Sequence, residues 1–183
     1  MTSKENKTIL EAVLGNITLQ KGDAIVNAAN SHLSGGGGVD GAIHRAGGPD
    51  MMAELKAKYL GCPTGSAVIT RGYNLPSQYV LHAVGPRWKD GHHNEAKLLA
   101  DAYRASLTLA KDYHCKTIAF PAISAGVYGY PKEEAAKIAV ETVKNFIAEY
   151  REFEKITFVL LSHELLAIYI FYLNGGSQKT TLK

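Results

Sequence analysis

The chain has 183 residues, 46% hydrophobic and 20% charged, enough for one globular domain and unlike either a disordered chain or a disulfide-stapled mini-protein. A formal charge of +3 with no run of four Lys or Arg argues against nucleic acid as a partner, since such a partner requires many phosphates to be neutralised. Cys62 and Cys115 lie apart with no zinc-ligand spacing around them, so reduced thiols, no metal and no cofactor are expected.

The opening MTSKENKT is polar where a signal peptide is apolar, and no apolar run is long enough for a membrane helix. A soluble, cytoplasmic, monomeric protein without membrane contact is the expectation. Residues 8–14 read as a first strand, and after GNIT and the polar QKGD turn, AIVNAAN carries a second strand of the fully buried type. Val39, Ile43 and Ala46 recur at helical spacing, Pro49 closes that helix, and residues 50–59 form another.

Residues 67–70 and 79–83 read as strands joined by Gly and Pro turn chemistry. Residues 95–113 form a long amphipathic helix, whose periodicity leaves open whether it packs internally or faces a partner. KTIAFPAI reads as a strand, SAGVYGYP as a glycine-containing loop, and residues 133–150 as a helix with acidic residues in its first turn. ITFVLL gives a last strand and HELLAIYIFYL a last helix, before a helix stop and a polar tail at 175–183. The alternation implies a single domain over residues 1–174 with a three-layer α/β/α sandwich and a mixed central sheet. Ligands of such sheets bind at the C-terminal ends of the strands, and both glycine-rich loops follow directly from strands.

Gly35, Gly36, Gly37 and Gly38 stand before a helix, where glycine freedom lets successive amides converge on a phosphate. GGGVDG also matches the dinucleotide pattern G-x-G-x-x-G, but no acidic residue lies about 20 positions on, so a dehydrogenase is disfavoured. Asp40 and His44 are four apart on one helix face, suited to acid–base work beside the phosphate site. Asn27 and Asn30 end the second strand around Ala28 and Ala29, where amides can meet sugar hydroxyls and small side chains let a ligand approach, although asparagine there can equally just terminate the strand, the reading the residues alone favour. Tyr128 and Tyr130 offer aromatic faces in the second loop, with core packing an equal alternative for one of them. His32, His82, His92, His93, His114 and His163 show no metal-ligand spacing.

Taken together, NAANSHLSGGGGVDGAIHRAGGP, TGSAVITRGYNLP, YVLHAVGP and SAGVYGYP resemble the macrodomain family in its MacroD-type branch, from about residue 14 to residue 172. The resemblance implies ADP-ribose as ligand, with residues 35–39, ending at Val39, and Ser124, Ala125, Gly126, Val127, Tyr128 and Tyr130 around the phosphates and distal ribose. It places Asn30 and Asp40 at the reacting centre with His44 nearby, Asn27 supporting the loop, and Ile17 and Ala28 along the ligand. It further implies ester hydrolysis at the distal ribose, on O-acetyl-ADP-ribose and on mono-ADP-ribosylated proteins. A reader that binds without turnover is the alternative; the acid–base pair favours the enzyme. Where the family has an aspartate in G-D-I-T, this chain has Asn16, and Leu161 stands where an aromatic ring commonly stacks on adenine. Both changes imply weaker hold on the base.

Overall fold

The computed structural model describes residues 7–176. The expected tail therefore lies outside the described residues from position 177 onward. Its strands are β1 (Ile9–Leu14), β2 (Gly22–Ala28), β3 (Ala67–Arg71), β4 (Ser77–Ala83), β5 (Thr117–Phe120) and β6 (Lys155–Leu160). They form one mixed sheet in the order β1-β6-β5-β2-β4-β3, parallel except for the edge strand β3, which runs antiparallel to β4.

Strand periodicity explains why both faces are covered. Ala24 and Val26 of β2, Leu81 and Ala83 of β4, and Phe120 and Phe158 pack on one side. Ile25, Val80, Ala119 and Val159, one residue out of step, pack on the other. The second side is closed by α1 (Gly38–Gly47), α2 (Pro49–Lys58) and a 3₁₀ turn at Ile17–Leu19 that the sequence reading did not anticipate. The first side is closed by α3 (Glu95–Asp112), α4 (Lys132–Glu149) and α5 (His163–Leu173).

Leu99, Tyr103 and Leu107 of α3 are fully buried, in one core with residues of α4 and of β4. The apolar stripe of α3 therefore packs internally, which answers the question its periodicity left open. KTIAFPAI is a strand only over Thr117–Phe120, because Pro121 has no N–H to continue the ladder.

The site depends on one feature of this topology. β2 and β5 are hydrogen-bonded parallel neighbours, with Ala24 opposite Ile118 and Ile25 opposite Ala119. Their following loops, residues 29–37 and 121–131, consequently leave the same sheet edge side by side.

Candidate active site

The first loop is held in shape by Asn30. Its Nδ2 donates to the Gly35 carbonyl at 3.0 Å, while its Oδ1 accepts from the Ser34 amide and hydroxyl, each at 3.2 Å. Gly35 sits at φ +78° and Gly38 at φ +59°, conformations that disfavour any side chain. A Cβ at Gly41 would lie 2.5 Å from the Gly36 carbonyl oxygen, so the loop folds directly over the start of α1. The N-cap of α1, Gly37, has no side chain to cap the helix. The backbone N–H groups of residues 35–38 accordingly donate to nothing among the described residues. A row of free amides at a helix N-terminus is an anion site.

The second loop repeats the device. Tyr130 N–H donates to Ser124 O at 3.0 Å and Gly129 N–H to Gly126 O at 2.9 Å, pinning the turn. The N–H groups of Gly126, Val127 and Tyr128 are left without partners among the described residues, and the Val127 side chain is exposed. Of the two tyrosines, Tyr130 is the packed one, 3% exposed with its ring 4.8 Å from Trp88. Tyr128 is half-buried beneath the Arg87 guanidinium, which sits 4.6 Å above its ring.

Between the loops lies Asp40, buried in the first turn of α1. Its Oδ1 accepts from Asn27 Nδ2 at 2.7 Å and lies 3.3 Å from His44 Nε2. Its Oδ2 makes no hydrogen bond among the described residues and lies on the side of Gly36, 3.5 Å from where a Cβ of that glycine would stand. One oxygen is thus anchored and the other is free toward the glycine loop. Burial by itself would raise the carboxyl pKa, but hydrogen bonds from His44 and Asn27 outweigh it and hold Asp40 below its ordinary value.

Asn27 is fully buried, with its Nδ2 turned onto Asp40 inside the fold. Its Nδ2 also lies 3.1 Å from His82 Nδ1, and His82 Nε2 lies 2.9 Å from Thr70 Oγ1, which donates to the Arg71 carbonyl at 3.0 Å. Because an amide nitrogen only donates, His82 Nδ1 must accept, and His82 carries its proton on Nε2 facing Thr70. Burial, followed by the neighbouring His44, pushes the His82 pKa down to about 3 and keeps the ring neutral. From Asn27 the donors therefore diverge, one to the anchored oxygen of Asp40 and the other through His82 on β4 and Thr70 on β3 to the Arg71 carbonyl.

The opposite end of the loops is built on Asn16. Its Oδ1 accepts from both the amide and the hydroxyl of Thr18, at 3.0 and 2.7 Å, capping the 3₁₀ turn. What remains of the amide is a donor. Ile17 is buried in the core below, Ala28 is half-buried at the end of β2, and Leu161, after β6, is 71% exposed.

Asp90, His93 and Glu95 converge closely enough to suggest a metal. However, Glu95 accepts from the backbone N–H groups of Lys89, Asp90, Gly91 and His93. Burial opposes ionisation there, yet those amides hold its pKa down to about 2, so the carboxylate serves as a loop cap.

The Macro domain family model matches residues 26–139. The chain belongs to the macrodomain family. It is 51% identical over 169 residues to a Pantoea vagans protein named O-acetyl-ADP-ribose deacetylase 1, covering 90% of this chain and 98% of that protein. A Klebsiella pneumoniae protein named O-acetyl-ADP-ribose deacetylase is 54% identical, covering 87% of this chain and 93% of its own. Among solved structures, a mutant of the Oceanobacillus iheyensis macrodomain with ADPR superposes with a TM-score of 0.87 at 41% identity, covering 96% of this chain and 97% of that one.

In this macrodomain the sequence reading pointed to both loops and Asp40 but missed Thr70 and His82. His82 falls within YVLHAVGP as the one imidazole of β4, set among Val80, Leu81 and Ala83. A lone polar group at a strand position buried on both faces is a signal for a buried partner, and Thr70 stands on the antiparallel neighbour. No helix is long and apolar enough to cross a membrane among the described residues.

Proposed function

We propose that this macrodomain binds ADP-ribose across the two loops and hydrolyses esters at its distal ribose, both O-acetyl-ADP-ribose and the mono-ADP-ribosyl esters of protein Asp and Glu side chains. One observation carries the reading. Two runs of unbonded backbone N–H groups leave neighbouring strand ends, with a buried, ionised carboxylate beside the first. Two amide runs suit a diphosphate, and the similarity to proteins named O-acetyl-ADP-ribose deacetylase supports the ester chemistry.

In the mechanism, the diphosphate takes the N–H groups of residues 35–38 and of Gly126, Val127 and Tyr128. Asn30 holds the first loop against the distal ribose. Asp40 Oδ2 accepts a proton from water as the water oxygen attacks the ester. The C–O bond of the ester breaks, the hydroxyl ends on one product, and the departing oxygen of the other leaves as carboxylate or is protonated in turn by Asp40. His44 and Asn27 hold Asp40 Oδ1 throughout, so the two oxygens keep separate tasks. Loop amides stabilise the charge that develops.

The reading is tested by following acetate release from O-acetyl-ADP-ribose and ADP-ribose release from a glutamyl-modified protein, with calorimetric ADP-ribose binding alongside, for wild type and Asp40→Ala. Turnover by wild type that is lost in the variant, by about 10²- to 10⁴-fold with binding retained, supports the hydrolase and the base. Near-normal turnover by the variant removes Asp40 from the mechanism. Binding without turnover by wild type makes the protein a reader.

A further inference from the structure

Resting on that hydrolase reading, we propose that a basic recess beyond Asn30 receives the acyl side of the ester, and that the acyl group it is built for belongs to an acidic polypeptide segment. The recess is a cavity of about 510 Å³ that shares Asn30 and Tyr128 with the loops and extends away from them to Arg87, Lys89 and Glu95. Its lining omits the glycine run and Asp40, so it opens beside Asn30 and Tyr128 rather than over the first amide run. In this reading the acyl group of an ester on the distal ribose lies on that side.

Size favours a large acyl group. Pockets of about 300–1,000 Å³ enclose drug-sized ligands, and an acetyl group would leave most of this one to water. Charge favours an acidic one. The two carboxylates of the region are already engaged: Glu95 by four backbone N–H groups, and Asp90 by the His93 ring and the His92 amide, each at 2.8 Å. Arg87 and Lys89 have no carboxylate within ion-pair distance among the described residues. The lining therefore carries two exposed cations, Arg87 and Lys89, against one buried carboxylate, Glu95, which is held by backbone amides rather than by either cation.

These cations are also placed rather than merely exposed. Arg87 stacks on Tyr128, and the adjoining Trp88 donates its N–H to the Tyr128 carbonyl at 2.8 Å while its ring meets Tyr130. The wall bearing Arg87 is thus fastened to the second phosphate loop, so a ligand that orders the loop also orders the cation. A polypeptide fits better than a nucleic acid, because two free cations without a continuing basic run cannot follow a phosphate backbone.

The test compares kcat/KM on three substrates: a peptide bearing ADP-ribosyl-glutamate between acidic residues, the same peptide with serines in their place, and O-acetyl-ADP-ribose. Wild type is set against an Arg87→Gln, Lys89→Gln double variant, with ADP-ribose calorimetry and thermal melting as controls. Wild type should prefer the acidic peptide by about tenfold, a preference that shrinks with added salt. The variant should lose about tenfold on that peptide through KM, and less than about twofold on O-acetyl-ADP-ribose. Equal rates on the two peptides in wild type, or an equal loss on all substrates in the variant, would each overturn the proposal. Turnover of O-acetyl-ADP-ribose with none of either peptide would overturn it while leaving the hydrolase reading intact. Wild-type failure on all three substrates would bring down both.

Discussion

At the Asp40 end of the cleft, every polar group that shapes the site is tied to the sheet: Asn27 and His82 are fully buried and Thr70 is 2% exposed. At the Asn16 end, an exposed asparagine spends its carbonyl on its own turn and Leu161 stands 71% in solvent. One end has its polar groups fixed in the interior of the fold, and the other leaves Asn16 and Leu161 open to solvent. Preorganised groups do most for the reacting charge, while the base pocket contributes affinity alone. Substitutions at the first end should therefore lower turnover, and those at the second should move binding.

The strongest break in this contrast is Asn27→Ala. It removes the donor to Asp40 Oδ1 and strands His82 Nδ1, costing about 1–3 kcal/mol of stability as buried groups lose their partners. Turnover should fall about 10²-fold, while the Kd for ADP-ribose stays within about threefold, because the phosphate amides belong to the loops. Thermal melting with steady-state kinetics checks both parts; a KM effect without a kcat effect would place Asn27 at the ligand after all.

Thr70→Val is milder and more diagnostic. Without the hydroxyl, the His82 proton loses its acceptor and can move to Nδ1, where it would face the Asn27 amide donor and push that amide to turn its carbonyl toward Asp40. We expect kcat to fall about tenfold, a barrier increase of about 1.4 kcal/mol, and the acid limb of the pH–rate profile to rise. Thr70→Ser should restore both, and the imidazole ¹⁵N shifts of His82 should report the tautomer directly.

The same network gives a pH signature. His82 titrates from 6.5 in an unfolded chain to about 3 in the fold. Between these values the unfolded state binds the extra proton, so stability falls as pH drops through that window, by about 1.4 kcal/mol per pH unit from this residue. Asp40 does not oppose the trend, since its pKa is lowered in the fold and its contribution is lost only as pH falls through that depressed value. Urea midpoints from pH 7 to 5 should fall more steeply for wild type than for His82→Gln; parallel slopes would mean that His82 is not held neutral.

Much of this was legible before any coordinates. Short apolar runs announced the strands, and four adjacent glycines before an Asp–His helix pointed to an anion site, because apolar runs, backbone freedom and i,i+4 spacing are local properties. The His82–Asn27–Asp40 chain was not legible, since it joins β2, β4 and α1 across a sheet order that no window of sequence contains. Glu95 was hidden for a similar reason: its partners are backbone amides, which carry no residue identity. For Asn27, sugar contact, strand ending and loop support all stayed open in the sequence, because a strand-end asparagine looks the same whether it points along the cleft or into the sheet.

The smallest expected effect lies at the exposed end. Thr18 donates twice to Asn16 Oδ1, so the amide is fixed with Nδ2 as the atom left over, and a donor there cannot receive the adenine amino group. Asn16→Asp should keep the cap on one oxygen and free a charged acceptor on the other, gaining about 1 kcal/mol, or about fivefold in ADP-ribose affinity. The gain should vanish with a ligand in which hypoxanthine replaces adenine, because the amino donor is then gone, and kcat should not move. A change in kcat on this substitution would couple the two ends of the cleft through the loops, and a rigid distal site could then no longer be treated separately from its adenine pocket.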